Sequence, residues 1–299
     1  VVKVSVVIPV YNGERYLREA LDSVFAQTFR DYEVICVDDG STDRSAGMIR
    51  EYGEQVTLIQ QANEGQGAAR NRGARNARGA YLAFLDQDDR WYPHKLERQV
   101  AALDADPGAV LAYCNSDRMD REGRLLQVGA TLAESQSAME SPLGRVTGEG
   151  LILPSSMLVR RDAFDRVGGF DGALRGFEDF DLSARLKQQG RFIFLEESGL
   201  CYRIHMAGFC RAGGLSVIQS RARFLDRMRE LFIGDREKQR LIRTMLAECY
   251  SDWGAREVKA GNKQDGRRLL CRSLREDPTK FRTYSRLVRS FLPAWSSEG

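Results

Sequence analysis

Over the first hundred residues, short aliphatic and β-branched runs alternate with stretches of helical period. Val4 to Val10 (VSVVIPV) reads as a buried strand. Glu14 to Ala26 then places Tyr16, Leu17, Ala20, Leu21, Val24 and Phe25 on one helical face. Tyr32 to Val37 predicts a second strand, and the DDGSTD that follows supplies a turn and a helix N-cap. Val56 to Gln60 predicts a third strand, residues 65–78 a helix of small side chains, and Ala80 to Leu85 a fourth strand. A βαβαβαβ order predicts an α/β domain: a mostly parallel sheet sandwiched by helices.

Further along, GAVLAYCNSD and RFIFLEES read as strands, RDAFDRVGGFD as a helix and turn, and FEDFDLSARLKQQG as an amphipathic helix closed by Gly190. From about residue 216 the period is helical throughout. TMLAECYSDWGAREVKAGNKQDGRRLLCRSLREDP resembles an antiparallel helix pair of the tetratricopeptide type, too short an array for a solenoid. The expected division is a catalytic domain over 1–215 and a helical appendage over 216–299.

Charge sharpens that division. Residues 1–219 carry 26 Lys and Arg against 31 Asp and Glu, a net of −5, whereas 220–299 carry 19 against 11, a net of +8. The basic helices suggest peripheral contact with an anionic membrane or self-association. No nucleic-acid reader motif accompanies the charge, so nucleic acid is not expected as a partner. No apolar run approaches the roughly 18 residues that span a bilayer, and the N-terminus is strand-like rather than signal-like. The expected location is the cytoplasm, with any membrane contact at its inner face. The six cysteines contain no CxxC pair and no Cys/His ligand spacing, so they read as reduced, buried thiols.

In an open α/β sheet, ligands bind beyond the carboxyl ends of the strands. There the first strand ends in PVYN, the second in Asp38 and Asp39, and the fourth in Asp86, Asp88 and Asp89. Converging carboxylates repel unless a cation or proton lies among them. A D-x-D spacing offers hard oxygen ligands to Mg²⁺ or Mn²⁺, ions that keep several waters and also bind substrate phosphates. Asp89 reads as a cap for the helix beginning near Trp91 and Pro93.

The segments VSVVIPVYNGERYLREALDSVFAQTF, CVDDGSTD, GAARNRGARNARGAYLAFLDQDD and FEDFDLSARL, in this order and spacing, resemble the family 2 inverting glycosyltransferases of GT-A fold. The resemblance covers about residues 3–210. It implies that Pro9, Val10 and Tyr11 hold the nucleobase, and that Asp39, or its neighbour Asp38, accepts the base N3–H. It implies further that Arg70 and Asn71 lie near the nucleotide, that Asp86 faces the ribose or a metal-bound water, and that Asp88 binds Mn²⁺ or Mg²⁺. In the second acidic cluster, Asp179 is implied as the catalytic base beside Glu178, with Asp181 the most structural of the three. CYRIH matches a Y-R-x-H segment in which His205 approaches the metal or diphosphate and Arg203 supports it. The following MAGFCRAGGLS departs from the family pattern, and Gly208, Gly213 and Gly214 suggest a flap over the donor.

The reaction so implied moves a sugar, with inversion, from a nucleotide-diphospho-sugar to a hydroxyl of a glycan or lipid-linked acceptor. UDP is the default donor base and dTDP its alternative. Bacterial surface polysaccharide synthesis is the expected setting by fold-level analogy. A catalytically inactive module that binds a nucleotide-sugar or a partner is the rival reading. Against a dehydrogenase, Gly65-Gln-Gly67 follows the third strand and has Arg70 where a third glycine belongs. A D-x-D phosphatase would need its motif at the first strand, and a sugar nucleotidyltransferase would need a glycine- and arginine-rich loop where PVYNGERYL stands.

Overall fold

The computed structural model of the chain describes residues 2–130, 141–147, 152–204 and 214–292. They form two compact units. One comprises Val1–Glu140, Glu149–Gly172 and Glu178–Gly208; the other comprises Ser141–Gly148, Ala173–Phe177 and Phe209–Gly299. The helical unit is therefore not separated by a single cut near 215, because two short earlier segments belong to it.

In the first unit the strands are β1 (Val4–Val10), β2 (Tyr32–Asp38), β3 (Val56–Gln60), β4 (Tyr81–Phe84), β5 (Arg90–Trp91), β6 (Ala109–Met119), β7 (Leu125–Gln127), β8 (Met157–Arg160) and β9 (Arg191–Arg203). They make one sheet in the order β3-β2-β1-β4-β8-β6-β9-β5, with β7 on β6. The leading half, β3-β2-β1-β4, is parallel, as its helical crossovers require. Beyond β4, β8 runs antiparallel to both β4 and β6, while β6 and β9 pair in parallel.

The helices of this unit are α1 (Leu17–Phe25), α2 (Ser45–Arg50), α3 (Gln66–Asn76) and α4 (Lys95–Ala105); after α5 (Pro142–Thr147) of the other unit come α6 (Arg161–Val167) and α7 (Glu178–Lys187). Strand alternation sorts them onto two faces. Val4, Val6, Ile8 and Val10 of β1 pack with Leu17, Leu21 and Val24 of α1 and Leu96, Val100 and Leu103 of α4. Val7 faces the other way, with Ala69 and Ala74 of α3, Phe164 of α6 and Leu182 and Leu186 of α7. Each such fully buried aliphatic side chain contributes about 1.5–3 kcal/mol. The small residues of α3 have a steric reason: a Cβ on Gly73 would stand 2.3 Å from Val7 Cγ1. Only glycine there lets the helix lie close enough to bring its first turn to the strand ends.

The second unit contains α5, α8 (Leu215–Leu231), α9 (Arg236–Lys259), α10 (Lys263–Glu276) and α11 (Phe281–Arg289). Asp235 caps α9 by accepting from the Lys238 amide at 3.0 Å. Helices α9 and α10 form the expected antiparallel pair, turning at Gly261 with φ +93°. They cross closely, since a Cβ on Gly254 would lie 2.8 Å from the Gly266 carbonyl. Among the described residues, no helix is long and apolar enough to cross a membrane.

Candidate active site

Three loops at the carboxyl ends of β1, β2 and β4 are tied to one another by hydrogen bonds. The Asp39 amide donates to the Val10 carbonyl at 2.7 Å. The Asn12 amide donates to Ser41 Oγ at 3.0 Å, and the Thr42 amide to Asn12 Oδ1 at 2.8 Å. Asn12 takes a φ of +49°, a left-handed conformation that asparagine tolerates better than most residues. Gln87, the middle residue of the D-Q-D, clasps the backbone of Tyr11: its Oε1 accepts from the Tyr11 amide at 2.8 Å and its Nε2 donates to the carbonyl at 3.0 Å. Tyr11 itself is 47% exposed, so its ring is open to a ligand. Pro9 and Val10 are buried strand residues that set its position.

Asp38 and Asp39 are both buried. Asp38 accepts from the Ser41 amide and from Gln60 Nε2, each at 3.0 Å. Asp39 accepts at 2.8 Å from Gln61 Nε2, the Glu64 amide and the Gly65 amide. Two of these three donors meet Oδ1, so Oδ2 of Asp39 keeps room for one more. The carboxylate thus fixes the loop that starts α3 and can still meet a donor from a base.

The acids after β4 are divided by partners far away in sequence. Asp86 receives Arg70 Nη2 at 2.5 Å. Arg70 is buried, lies 5.2 Å from the centre of the Phe170 ring, and has an Nε with no hydrogen-bond partner. Burial works against its charge, but the Asp86 carboxylate, with Glu178 and Asp179, outweighs this and raises its pKa. Asp89 is also buried, with Ser155 Oγ donating to it at 2.6 Å and the Arg203 amide at 3.0 Å. Burial, then the Asp88 and Asp86 charges, raise its pKa well above the carboxylate range. Asp89 therefore does not cap the next helix: α4 has His94 at its N-cap and no side-chain cap bond. Asp88 is held by its main chain, its carbonyl accepting from Arg203 Nε at 2.8 Å.

Arg203 and Asn71, both expected in the site region, spend their donors on the protein itself. The side chain of Arg203 is 0% exposed. Besides the Asp88 carbonyl it donates to the carbonyls of Asp120 and Arg121 and to Glu19, and it stacks over Tyr16. It braces the D-Q-D loop from behind rather than offering its charge to a ligand. Asn71 donates Nδ2 to the Phe170 carbonyl at 2.7 Å and accepts from the Phe170 amide at 2.9 Å. Both ends of its amide are thus spent on the chain just before the second acidic cluster.

That cluster opens α7, where acids in the first turn are favoured by the helix dipole. Asp181 is buried in an ion pair with Arg185, whose Nε lies at 2.9 Å. Arg185 also donates to the Val167 and Gly169 carbonyls, so this pair is architectural. Glu178 is buried, its Cγ 3.6 Å from where a Cβ on Gly67 would lie. Asp179 accepts from the Phe180 amide at 2.8 Å. Burial pushes its carboxyl up to about 7; Glu178 adds to the rise, while the Phe180 amide and Arg70 oppose it. A carboxyl with that pKa, beside a buried arginine, is suited to take a proton near neutral pH.

His205 and residues 206–213 of the expected flap lie outside the described residues, as do 131–140 and 148–151. Among the described residues no three His, Cys, Asp or Glu side chains form a metal cage. The donor set instead suits an ion that takes one or two carboxylates and completes its shell with water and phosphate, because Asp86 and Asp89 are committed elsewhere. His94 is an exposed helix-start residue near Thr28 and Glu97. Cys36, Cys114, Cys201 and Cys249 are buried thiols, but Cys271 is exposed.

Gln87 and Ser155 were not legible as site residues. Ser155, which accepts from the Asp86 amide at 3.0 Å while donating to Asp89, sits in a PSS segment with no motif character. The glutamine's only signal was its place inside the D-x-D.

A sheet of this order, with acids at the ends of β2 and β4 and at the start of α7, defines the GT-A class of nucleotide-sugar fold. Over 97% of its length the chain is similar to the crystal structure of S. aureus TarS 1-349 in complex with UDP-GlcNAc, with a TM-score of 0.71, 18% identity and 89% of that chain covered. In sequence, the family described as Glycosyl transferase family 2 matches residues 5–168. The chain belongs to that family. It is 34% identical over 206 residues to an uncharacterized glycosyltransferase of Rickettsia prowazekii, covering 68% of this chain and 64% of the relative. It is 36% identical over 213 residues to another from Nostoc, covering 69% and 66%. The chain thus spans slightly under two thirds of the length of these curated relatives.

Proposed function

We propose that this chain is an inverting glycosyltransferase that moves a hexosyl or N-acetylhexosaminyl group from a UDP-sugar to a hydroxyl of a glycan or lipid-linked acceptor. The observation that carries the reading is Asp179, a carboxyl with a pKa near 7 at the start of α7, in the field of the Arg70 that grips Asp86. Asp179 takes the acceptor hydroxyl proton as that oxygen bonds to the anomeric carbon; the bond from that carbon to the diphosphate oxygen breaks on the opposite face, which inverts the centre. Tyr11 packs on the base and Oδ2 of Asp39 accepts its N3–H, a donor that uracil and thymine share. Asp88, with His205, is the residue that would hold a Mn²⁺ or Mg²⁺ ion, which when bound neutralises charge on the departing diphosphate. UDP is favoured over dTDP by the TarS neighbour, which binds UDP-GlcNAc. Bacterial surface polysaccharide is the proposed setting, and the cytoplasm the proposed location.

The test is a thermal-shift series with UDP, dTDP and UDP-sugars, with Mn²⁺ or with EDTA, followed by turnover of whichever sugar stabilises the chain. A ligand bound only by the folded state raises the melting temperature, by about 2.7 kcal/mol of stability at a hundredfold excess over Kd. A rise with UDP plus Mn²⁺ that EDTA abolishes is the expected result. Absence of any shift with every nucleotide would leave the inactive interaction module as the better reading.

A further inference from the structure

The helical unit carries a feature that sugar transfer does not use. Along α11 and the residues after it, Phe281 is 82% exposed, Tyr284 45%, Val288 65%, Phe291 64% and Leu292 53%. Their spacing of three, four, three and one puts them on one side of the helix, whose opposite side is anchored by buried Thr283 and Ser290. Large apolar side chains exposed together on one helix face mark a contact surface, unlike the same residues scattered singly.

The segment that carries the stripe is itself cationic. From Pro278 to Leu292 the chain has four basic residues, Lys280, Arg282, Arg286 and Arg289, and no acid. Lys280 and Arg286 are paired with Glu248 and Asp252, whereas Arg282 and Arg289 have no acidic partner among the described residues. Beside this stripe, α10 lines a cavity of about 410 Å³ with Gln264, Arg267, Arg268, Cys271 and Arg275. The two features meet where the Arg267 guanidinium lies 3.9 Å from the centre of the Phe291 ring.

We propose that this face docks on the surface of an anionic phospholipid bilayer, with the α11 stripe entering the acyl boundary and the α10 arginines receiving headgroup phosphates. A basic helix with an aromatic and aliphatic edge lies in the plane of such an interface, where apolar burial and charge attraction add. A second copy of the chain fits less well. Self-pairing through the stripe would bring Arg282, Arg289, Arg268 and Arg275 of two molecules together, and among the described residues only Arg268 of these four has an acidic partner, Asp265 at 3.4 Å.

The test is sedimentation of the 299-residue chain with vesicles of phosphatidylcholine alone and of phosphatidylcholine with about a third phosphatidylglycerol, at low and at high salt. The expected result is binding to the anionic vesicles, weakened by salt and absent from the zwitterionic ones. Arg268→Glu with Arg275→Glu should lower partitioning by at least about tenfold, and Phe281→Ser with Val288→Ser should do the same. All four side chains are exposed, so the melting temperature should barely change. As a readout that leaves the stripe intact, Tyr284→Trp fluorescence should be quenched by brominated lipid. No binding to anionic vesicles, or equal binding to zwitterionic ones, overturns the proposal. So does a dimer that Phe281→Ser with Val288→Ser converts to monomer while vesicle binding is nil.

Discussion

The chain has two acidic triplets, Asp86, Asp88 and Asp89 after β4, and Glu178, Asp179 and Asp181 at the start of α7. Locally they look alike, yet the fold handles them by different means. In the first, two acids are held by groups distant in sequence, Asp86 paired with Arg70 and Asp89 hydrogen-bonded by Ser155 and the Arg203 amide, and the loop is braced at the Asp88 carbonyl. In the second, Asp181 is neutralised within its own helix by Arg185, and Asp179 is left in a setting that raises its pKa to about 7. One triplet is thus fixed by partners from elsewhere in the chain, whereas the other keeps a carboxyl that titrates near neutral pH. Arg70 connects them, since it pairs with Asp86 and its charge also acts on Asp179.

The largest effect should come from Asp179→Asn, which removes the proposed base: kcat falls about 10³-fold with donor KM little changed. Retention of activity within tenfold of wild type would sink the base assignment. The same variant carries a stability signature. The carboxyl is raised from 3.8 to about 7 in the folded chain, so between those values the folded state keeps a proton the unfolded state has released. The stabilisation from that proton is complete below about pH 4 and is lost as pH rises through 7. Asparagine has no charge to bury, so the variant should melt several degrees above wild type at pH 8 and level with it near pH 4. Wild-type turnover should climb about tenfold per pH unit up to 7 and then flatten.

Next in size is Arg70→Gln, which tests the link between the triplets. Breaking its buried pair with Asp86 should cost about 3 kcal/mol. Because Arg70 opposes the rise in the Asp179 pKa, its loss should also move the midpoint of the pH–rate curve above 7. A destabilised variant with an unmoved midpoint would mean that the triplets are independent. Asp181→Asn is the matching break inside the second triplet. It should cost about 2–3 kcal/mol in urea unfolding yet leave the pH–rate midpoint in place. The smallest effect belongs to Gln87→Ala, which frees the Tyr11 backbone from two hydrogen bonds. Each contributes about 1 kcal/mol or less at this exposed position. Donor KM should rise a few-fold with kcat within twofold, and an unchanged KM would exclude Tyr11 placement as the glutamine's role.

How far these residues were legible depended on how local their causes are. The strands Val4–Val10 and Val56–Gln60 lie where their β-branched and aliphatic residues placed them; the first is buried at every position, and the second, at the sheet edge, has only Val56 buried. The acids at the strand ends were visible for a similar reason, since nothing in packing accounts for them. The duties of Asn71, Arg203 and Asp89 were not visible. Asn71 reaches Phe170 across 99 positions and Asp89 meets the Arg203 amide across 114, so no local pattern separates a ligand-binding amide or guanidinium from one that braces a loop. The apolar stripe of α11 was hidden likewise, because periodicity shows that a helix has an apolar face but not whether anything covers it.

By itself, then, the sequence determined the alternation of strands and helices, the family, and the three places where carboxylates gather, all of which follow from short-range chemistry. The tertiary structure alone decided which carboxylate is neutralised, which is raised toward neutral pH, and which arginine spends its donors on the backbone. A carboxylate takes its charge state from whatever lies within a few ångströms, and in this fold those neighbours come from distant parts of the chain.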